Sequence, residues 1–545
     1  MNGSIMTLPG LLEETSVKYG HRPAFAFVGE KGFTYSEFRI RVYALIAWLE
    51  KMGIKRGDRV AILSTNMPNW PLVYFAVTSM ECIVVPILHD FSEEEIENVL
   101  LHSETETIFV SSTLEKKLKD NKAGLKNLIR IEDFTVIRSQ NEPEAFSETS
   151  TPEEVYNSNP DDLAAIIYTS GTTGKSKGVM LTHMNVCSNA VAGKKIQEIN
   201  ENDRFLSVLP LSHTFENTIG MLIPVMSGSA VYYLTKPPTA PVLLPALKEI
   251  RPTLMLAVPL IIEKIYFSSV RPKLTGSAFL KTLYGIAPFR KVLHKAAGKK
   301  LMETFGGEVK FFGIGGAKLN FTVERFLKEG KFPYAIGYGL TETSPLLAGA
   351  GPTETVLEST GRAVVGTELK INDPDPKTGE GEIWAKGPNI MKGYYKEPGL
   401  TEEVLTPDGW FRTGDLGLFN KENKLFIKGR LKNVIIGASG ENIYPEEIES
   451  MINNFKHVAE SLVIQQKGKL VALVHINREE LEAKYQDMRD EMNRIVEEKI
   501  NEILEELQSQ INMRISKFAR IQKVVLQPDP FQKTATQKIK RYLYY

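Results

Sequence analysis

Along the first 430 residues, apolar positions fall into two alternating patterns. LPGLLEETSVKYG, from Leu8, and NWPLVYFAVTSMEC, from Asn69, repeat apolar residues at helical intervals, whereas DRVAILS, from Asp58, and IVVPI, from Ile83, are short apolar runs. This alternation predicts an α/β architecture with parallel strands, because a parallel pair needs a crossover long enough to hold a helix. LAAIIYTSG, from Leu163, reads as a buried strand running straight into a polar glycine loop. Near Gly429 and Arg430 the character changes: LFIKGRLKNVIIGASGENIYPEEIESMI predicts a strand, a charged turn, a second strand and the start of a helix. A domain boundary is expected there, with a large domain over 1–429 and a small one over 430–545. From Asn477 to about Ser516, dense Glu and Lys with recurring Leu, Ile and Met predict an amphipathic helix lying on the second domain. The longest uncharged stretch, Asn217 to Thr235, is interrupted by Pro224, Ser227, Gly228 and Ser229. It predicts a buried helix ending near Gly228 followed by a strand, not a membrane span.

Charge narrows the classes of partner. Lys plus Arg and Asp plus Glu number 66 each, so the molecule as a whole has no net field to gather nucleic acid or an anionic membrane. One stretch departs from that balance. Between Lys264 and Met302 stand Arg271, Lys273, Lys281, Arg290, Lys291, Lys295, Lys299 and Lys300 without an acidic residue, and Phe279, Leu280, Leu283, Tyr284 and Phe289 are interleaved. That composition predicts a basic helical surface and makes 264–300 a candidate for peripheral contact with a membrane. Cys82 and Cys187 are too few for a disulfide framework and have no metal-ligand spacing, which suits a reducing cytoplasm, with the inner membrane face as a peripheral location. The N-terminal segment lacks a basic region and a long apolar core, so no signal peptide is expected.

The densest chemistry lies in YTSGTTGKSKGV, Tyr168 to Val179. Glycine permits close backbone approach, so successive N–H groups converge on phosphate oxygens while hydroxyls add donors. Thr169, Ser170, Gly171, Thr172, Thr173, Gly174 and Lys177 are therefore candidate ligands for the β- and γ-phosphates of ATP. A Walker loop is excluded, because only Thr172 and Thr173 separate Gly171 from Gly174 where that pattern needs four residues.

This string resembles the signature of the adenylate-forming, AMP-binding superfamily, which includes acyl-CoA synthetases, firefly-luciferase-like enzymes and peptide-synthetase adenylation domains. The likeness continues in order through LPLSHTFE from Leu209, FFGIGGAKL from Phe311, YGLTETSP from Tyr338, GWFRTGDLG from Gly409, IKGRLKNVIIGASGENIYPEEIE from Ile427 and KTATQKIKR from Lys533. The resemblance implies a large N-terminal domain of α/β sheets with a small barrel-like subdomain, followed by a small mobile α+β domain. It also implies ATP and Mg²⁺ as cofactors and coenzyme A as a substrate. Thr169 and Glu342 would hold magnesium, and Thr341 would donate to the α-phosphate. Gly315, Gly316 and Ala317 would lie flat against adenine with Tyr338 and Gly339, and Asp415 would take the ribose hydroxyls with Arg430 nearby. Lys538 would be the adenylation lysine. The family pattern has Gly before that lysine where Gln537 stands here, which leaves Lys533 and Lys540 as alternatives. Lys432 matches the hinge, Gly440 and Glu441 would face coenzyme A after domain rotation, and His213 would flank the acyl pocket.

Within the superfamily the motifs look most like those of bacterial long-chain fatty acyl-CoA synthetases. The expected activity is ligation of a fatty acid to coenzyme A through acyl-AMP, with release of AMP and pyrophosphate. Alternatives are a ligase for medium-chain or aryl acids, transfer to a carrier-protein thiol, and, from a different class, a non-catalytic nucleotide- or lipid-binding protein. The expected partners are the fatty acid and coenzyme A, with no nucleic acid; a homodimer is a candidate assembly.

Overall fold

The computed structural model of the protein describes residues 6–119, 123–141, 143–154, 156–169, 176–437, 441–455, 457–478, 482, 492–534 and 538–545. Among them, the strands of the large domain form a nine-stranded sheet, an eight-stranded sheet and a four-stranded antiparallel sheet. Helices Leu8–Tyr19, Tyr35–Lys51, Asn69–Ser79 and His183–Lys194 share one apolar core with both large sheets. Separate cores cover the outer sheet faces. One packs helices Ala240–Ile250, Ala287–Thr304 and Phe321–Glu329 on the nine-stranded sheet, and the other packs helix Glu93–Ser103 on the eight-stranded sheet. The result is a layered stack of helix, sheet, helix, sheet and helix, which lets parallel strands bury both faces.

Local chemistry sets where the elements begin. Thr34 with Glu37, Ser92 with Glu95 and Thr182 with Asn185 each close a reciprocal side-chain to backbone box at the head of a helix. The Asn217–Thr235 stretch turns out as a buried π-helical turn over Glu216–Leu222, a short helix Ile223–Ser227 ending at left-handed Gly228, and a strand Ala230–Tyr233. Among the described residues no helix is long and apolar enough to cross a membrane.

The strands Glu368–Asn372, Gly381–Lys386, Phe411–Phe419 and Leu425–Arg430 make the small antiparallel subdomain. The chain then enters an α+β domain with its own core, in which helices Pro445–Ile452 and Met492–Asn512 pack on the strands Val458–Gln466, Lys469–Ile476 and Lys523–Leu526. Of the amphipathic segment, 479–481 and 483–491 lie outside the described residues; the described helix ends at Asn512, which exchanges hydrogen bonds with the backbone of Ile521. Two contacts tie the domains near their junction: the Tyr444 hydroxyl donates to Glu380 at 2.7 Å, and the Lys428 ammonium sits 3.4 Å from both Glu380 and Glu447.

The crossing of helices Ala287–Thr304 and Phe321–Glu329 depends on a missing side chain. A Cβ at Gly298 would stand 2.3 Å from the carbonyl oxygen of Gly330. Exchanging Gly for Ala inside a helix ordinarily gains about 1 kcal/mol, but overpacking against backbone costs about 1–3 kcal/mol, so steric conflict should win. Gly298→Ala is expected to lower the denaturant midpoint without changing the slope. A higher midpoint would show that the two helices do not meet this closely.

Candidate active site

Four adjacent parallel strands, Arg204–Ser207, Leu254–Ala257, Phe311–Ile314 and Tyr334–Gly339, bring their carboxyl ends to one edge of the nine-stranded sheet. Ligands of open α/β sheets bind at such an edge. His213, the Gly315-Gly316-Ala317 turn, and Thr341 with Glu342 follow three of these strands, so motifs far apart in sequence meet. Gly315 leaves room for Phe215: a Cβ there would lie 3.1 Å from the Phe215 ring. The turn carrying Thr341 and Glu342 is firmly held. The Glu342 carbonyl accepts from Met391 N–H at 2.9 Å, Asn389 donates to the carbonyls of Thr343 and Leu346, and Thr218 donates to that of Ser344.

The small antiparallel subdomain supplies a second wall. Its register sets Asp415 directly opposite Arg430, whose Nε lies 2.8 Å from Asp415 Oδ1. The Tyr338 hydroxyl donates to Asp415 Oδ2 at 2.7 Å. Burial raises the Asp415 pKa while Arg430 and Tyr338 oppose that rise. Burial also pushes the Tyr338 phenol well up, so it stays a donor. Asp415 is thus a buried carboxylate on a strand, poised between a cation and a hydroxyl.

The strand Leu163–Thr169 does not lead into a helix. It returns as the antiparallel strand Lys177–Thr182, with Thr169 and Lys177 paired across the ladder. Ser170, Gly171, Thr172, Thr173 and Gly174 lie outside the described residues. The Lys177 ammonium stands over the Tyr394 ring, 5.0 Å from its centroid, and the Tyr394 hydroxyl donates to Glu342 Oε1 at 2.9 Å. Tyr394 therefore joins Lys177 to Glu342. Sequence reasoning passed it over, because its position comes from pairing of the strand Gly393–Tyr394 with Val179 and Met180 and not from a neighbouring motif.

The C-terminal domain contributes Lys538. Its side chain is exposed by surface area yet surrounded at longer range by protein, as befits a group standing in an open cleft, and the surrounding protein governs its charge. Burial first and the like charge of Arg430 second pull its pKa below the ordinary lysine value, while Asp415 and Glu342 pull it back up. Lys533 instead pairs with Glu460, and Arg541 pairs with Glu449. A bridge between Lys533 and Ile539, with Thr534 N–H donating to the Lys538 carbonyl, closes the segment between those anchors. Asp415 and Glu342 both act on the charge of Lys538.

His213 is kept neutral: burial and Lys538 lower its pKa to about 4. Its Nδ1 accepts from Phe215 N–H at 3.2 Å, which leaves the proton on Nε2. Gly316 and Ala317 are exposed beside buried Gly315, and Gly339 is exposed at the end of its strand. Lys432 is exposed in the short turn Leu431–Asn433 at the domain junction. Glu441 is half-buried beside the two-stranded ribbon of Ile435–Ile436 and Asn442–Ile443, and Gly440 lies outside the described residues.

A strand-edge cleft closed by a second domain, with a tyrosine-bound carboxylate and an inserted lysine, defines a two-domain nucleotide-handling α/β protein. The chain belongs to the AMP-binding enzyme family, which it matches over residues 12–395, and residues 432–545 match the AMP-binding enzyme C-terminal domain. It is 29% identical to long chain acyl-CoA synthetase 6, peroxisomal, of Arabidopsis thaliana, across 94% of this chain and 79% of the relative. It is 27% identical to the Arabidopsis long-chain-fatty-acid acyl-carrier-protein ligase AEE15, chloroplastic, across 87% of this chain and 76% of the relative. The fold superposes on the O-succinylbenzoate coenzyme A synthetase of Bacillus subtilis, solved with ATP and a magnesium ion, with a TM-score of 0.75 and 23% identity over 98% of each chain.

One group near the cleft titrates in an unexpected range. Glu216, three residues after His213, is buried in the π-helical turn, where it accepts from Ser207 and fills the space above Gly220. Burial raises its pKa from 4.5 to about 8. A raised carboxyl pKa stabilises the fold most below the unfolded value, and that contribution is lost as pH rises through the folded value. Glu216→Gln removes this loss. The variant is expected to gain stability over the parent between pH 5 and pH 8, by up to about 1.4 kcal/mol per pH unit in that window. A pH-independent difference would place an ionised carboxylate there.

Proposed function

We propose that the protein activates a carboxylic acid as its acyl-adenylate and passes the acyl group to coenzyme A. The observation that carries this reading is the Lys538 ammonium reaching from the small domain into electrostatic range of Glu342, Asp415 and Arg430. In the first step an oxygen of the acid attacks the α-phosphorus of ATP, the bond to the β-phosphate breaks, and pyrophosphate leaves. Two anions must meet for this, so the site has to supply positive charge where negative charge builds up. Lys538 would bridge the carboxylate and the α-phosphate, and Thr341 would donate to the same phosphate. Asp415 with Arg430 would hold the ribose hydroxyls, and Tyr338 with the Gly315–Ala317 turn would border adenine.

Among the described residues no cluster of three acidic, histidine or cysteine side chains could hold a metal unaided. The hard oxygen donors of Thr169 and Glu342 suit Mg²⁺, which keeps few protein ligands and shares phosphate oxygens. Thr169 and Glu342 would hold it, and the ion would supply positive charge to the phosphates. Tyr394 orients the Glu342 carboxylate, and Lys177 stands beside it.

In the second step the coenzyme A sulfur attacks the acyl carbon, and AMP leaves. We place the domain boundary after Gly429, with Lys432 in the pivot, so that rotation withdraws Lys538 and brings Gly440 and Glu441 to the cleft. The long-chain relatives support a long-chain acid. The apolar segments around Ile219 and Leu254 pack into the cores, so the acid's length rests on those relatives. The likeness to a carrier-protein ligase favours one second reading, in which the acceptor is a carrier thiol. Pyrophosphate exchange across a panel of acids reports the first step whatever the acceptor. Thioester formed with coenzyme A alone then separates the two readings, and preference for acetate or an amino acid would overturn the long-chain assignment.

Two substitutions test the residue roles. Lys538→Ala should abolish adenylate formation by a factor on the order of 10²–10³ while sparing thioester formation from supplied acyl-adenylate; equal loss of both half-reactions rejects the division. Tyr394→Phe removes a hydrogen bond to a charged group worth about 1.5–3 kcal/mol. It should reduce exchange roughly tenfold or more and raise the magnesium concentration needed. An unchanged magnesium titration would remove Tyr394 from the site.

A further inference from the structure

The helical crossover between the strands Leu254–Ala257 and Phe311–Ile314 carries apolar surface that the fold does not use. Helix Ala278–Gly285, AFLKTLYG, buries none of its residues, and Phe279 is 71% exposed. In helix Ala287–Thr304, His294, Gly298 and Leu301 face the core. The opposite face presents Phe289 and Val292, 51% and 68% exposed, beside Lys291, Lys295 and Lys299 at i, i+4 spacing. Ile286, between the helices, is 46% exposed.

This exposure is not looseness. The Tyr284 hydroxyl bonds to the Tyr266 hydroxyl at 2.8 Å and to His294 Nε2 at 3.0 Å, so the outer helix is tied to the buried layer beneath it. Next to it lies a groove of about 540 Å³ lined by Lys291, Lys295, Arg325, Lys328 and Lys331, with Val292 at its side. The one carboxylate lining it, Glu329, is already held by Arg290 and His294.

We propose that this face docks on an anionic lipid bilayer. The lysines and the groove meet headgroup phosphates, and Phe279, Ile286, Phe289 and Val292 enter the boundary between headgroups and acyl chains. Charge decides the kind of partner: residues 265–302 contain no Asp or Glu, so a second copy of the same face is repelled. An acidic soluble protein would match the lysines but gives no reason for four apolar side chains to stand exposed around them. Apolar tips set among lysines on rigid helices match the interfacial layer, where both kinds of group are satisfied at once. The docking rests on this surface alone and holds whichever acid the cleft takes.

Co-sedimentation with vesicles tests it on the full chain. The parent protein should bind vesicles of phosphatidylcholine mixed with phosphatidylglycerol on the order of a hundredfold better than phosphatidylcholine alone at low salt, with the difference shrinking as salt rises. Lys291→Gln, Lys295→Gln and Lys331→Gln together should bring binding down to the phosphatidylcholine level. Phe279→Ser with Phe289→Ser should remove the part that resists salt. All five positions are exposed, so exchange activity on an acid supplied in water should be unchanged. Equal binding of the parent to both vesicle types overturns the proposal without reference to any variant, and so does a triple variant that binds like the parent. Capture of an acidic carrier protein by the parent and not by the triple variant, with no vesicle binding, would reassign the face to a protein partner.

Discussion

The Asp415–Arg430 pair fixes where charge stands in the cleft. It joins the last two strands of the antiparallel subdomain, and Arg430 ends the second of them, where the chain leaves for the C-terminal domain. A carboxylate buried alone would take up a proton; the guanidinium at 2.8 Å and the Tyr338 hydroxyl favour the ionised form. The same guanidinium repels Lys538 while Asp415 and Glu342 attract it, so the inserted ammonium is balanced and not locked. A cation held that way is available to a stronger anion arriving in the cleft.

Much of this was legible in the sequence because the superfamily's motifs are local strings, and local strings keep their spacing when they fold. The strand Leu163–Thr169, the helix from Leu8 and the strand–turn–strand–helix run after Leu425 all form as their patterns predict. Lys533, Lys538 and Lys540 sit in one basic string and look alike there; the tertiary structure pairs Lys533 with Glu460 and sets Lys538 in the field of Asp415 and Glu342. Tyr394 was not legible because a two-residue strand has no periodicity to detect. Glu216 was missed for another reason: a glutamate in a polar motif reads as charged, and only burial beside Ser207 makes it neutral.

The exposed crossover helices show a limit of pattern reading from the other side. The basic run and its interleaved apolar residues were visible as a helical surface, but which of those apolar side chains stay exposed, as Phe279 does, was not. Tyrosine and histidine hydrogen bonds tie helix Ala278–Gly285 to the layer beneath, while Phe279 stands at the surface.

The two anchors that flank Lys538 carry a mechanical consequence. Lys533 is clamped to Glu460 on one side and Arg541 to Glu449 on the other, so the described residues flanking Lys538 are fastened to a strand and a helix of the small domain. Lys538 travels as a passenger of the whole small domain, so the cycle proposed above would run as a stepwise ratchet. Its timing would be set by how readily Tyr444 lets go of Glu380 and Glu447 lets go of Lys428, far from any reacting atom.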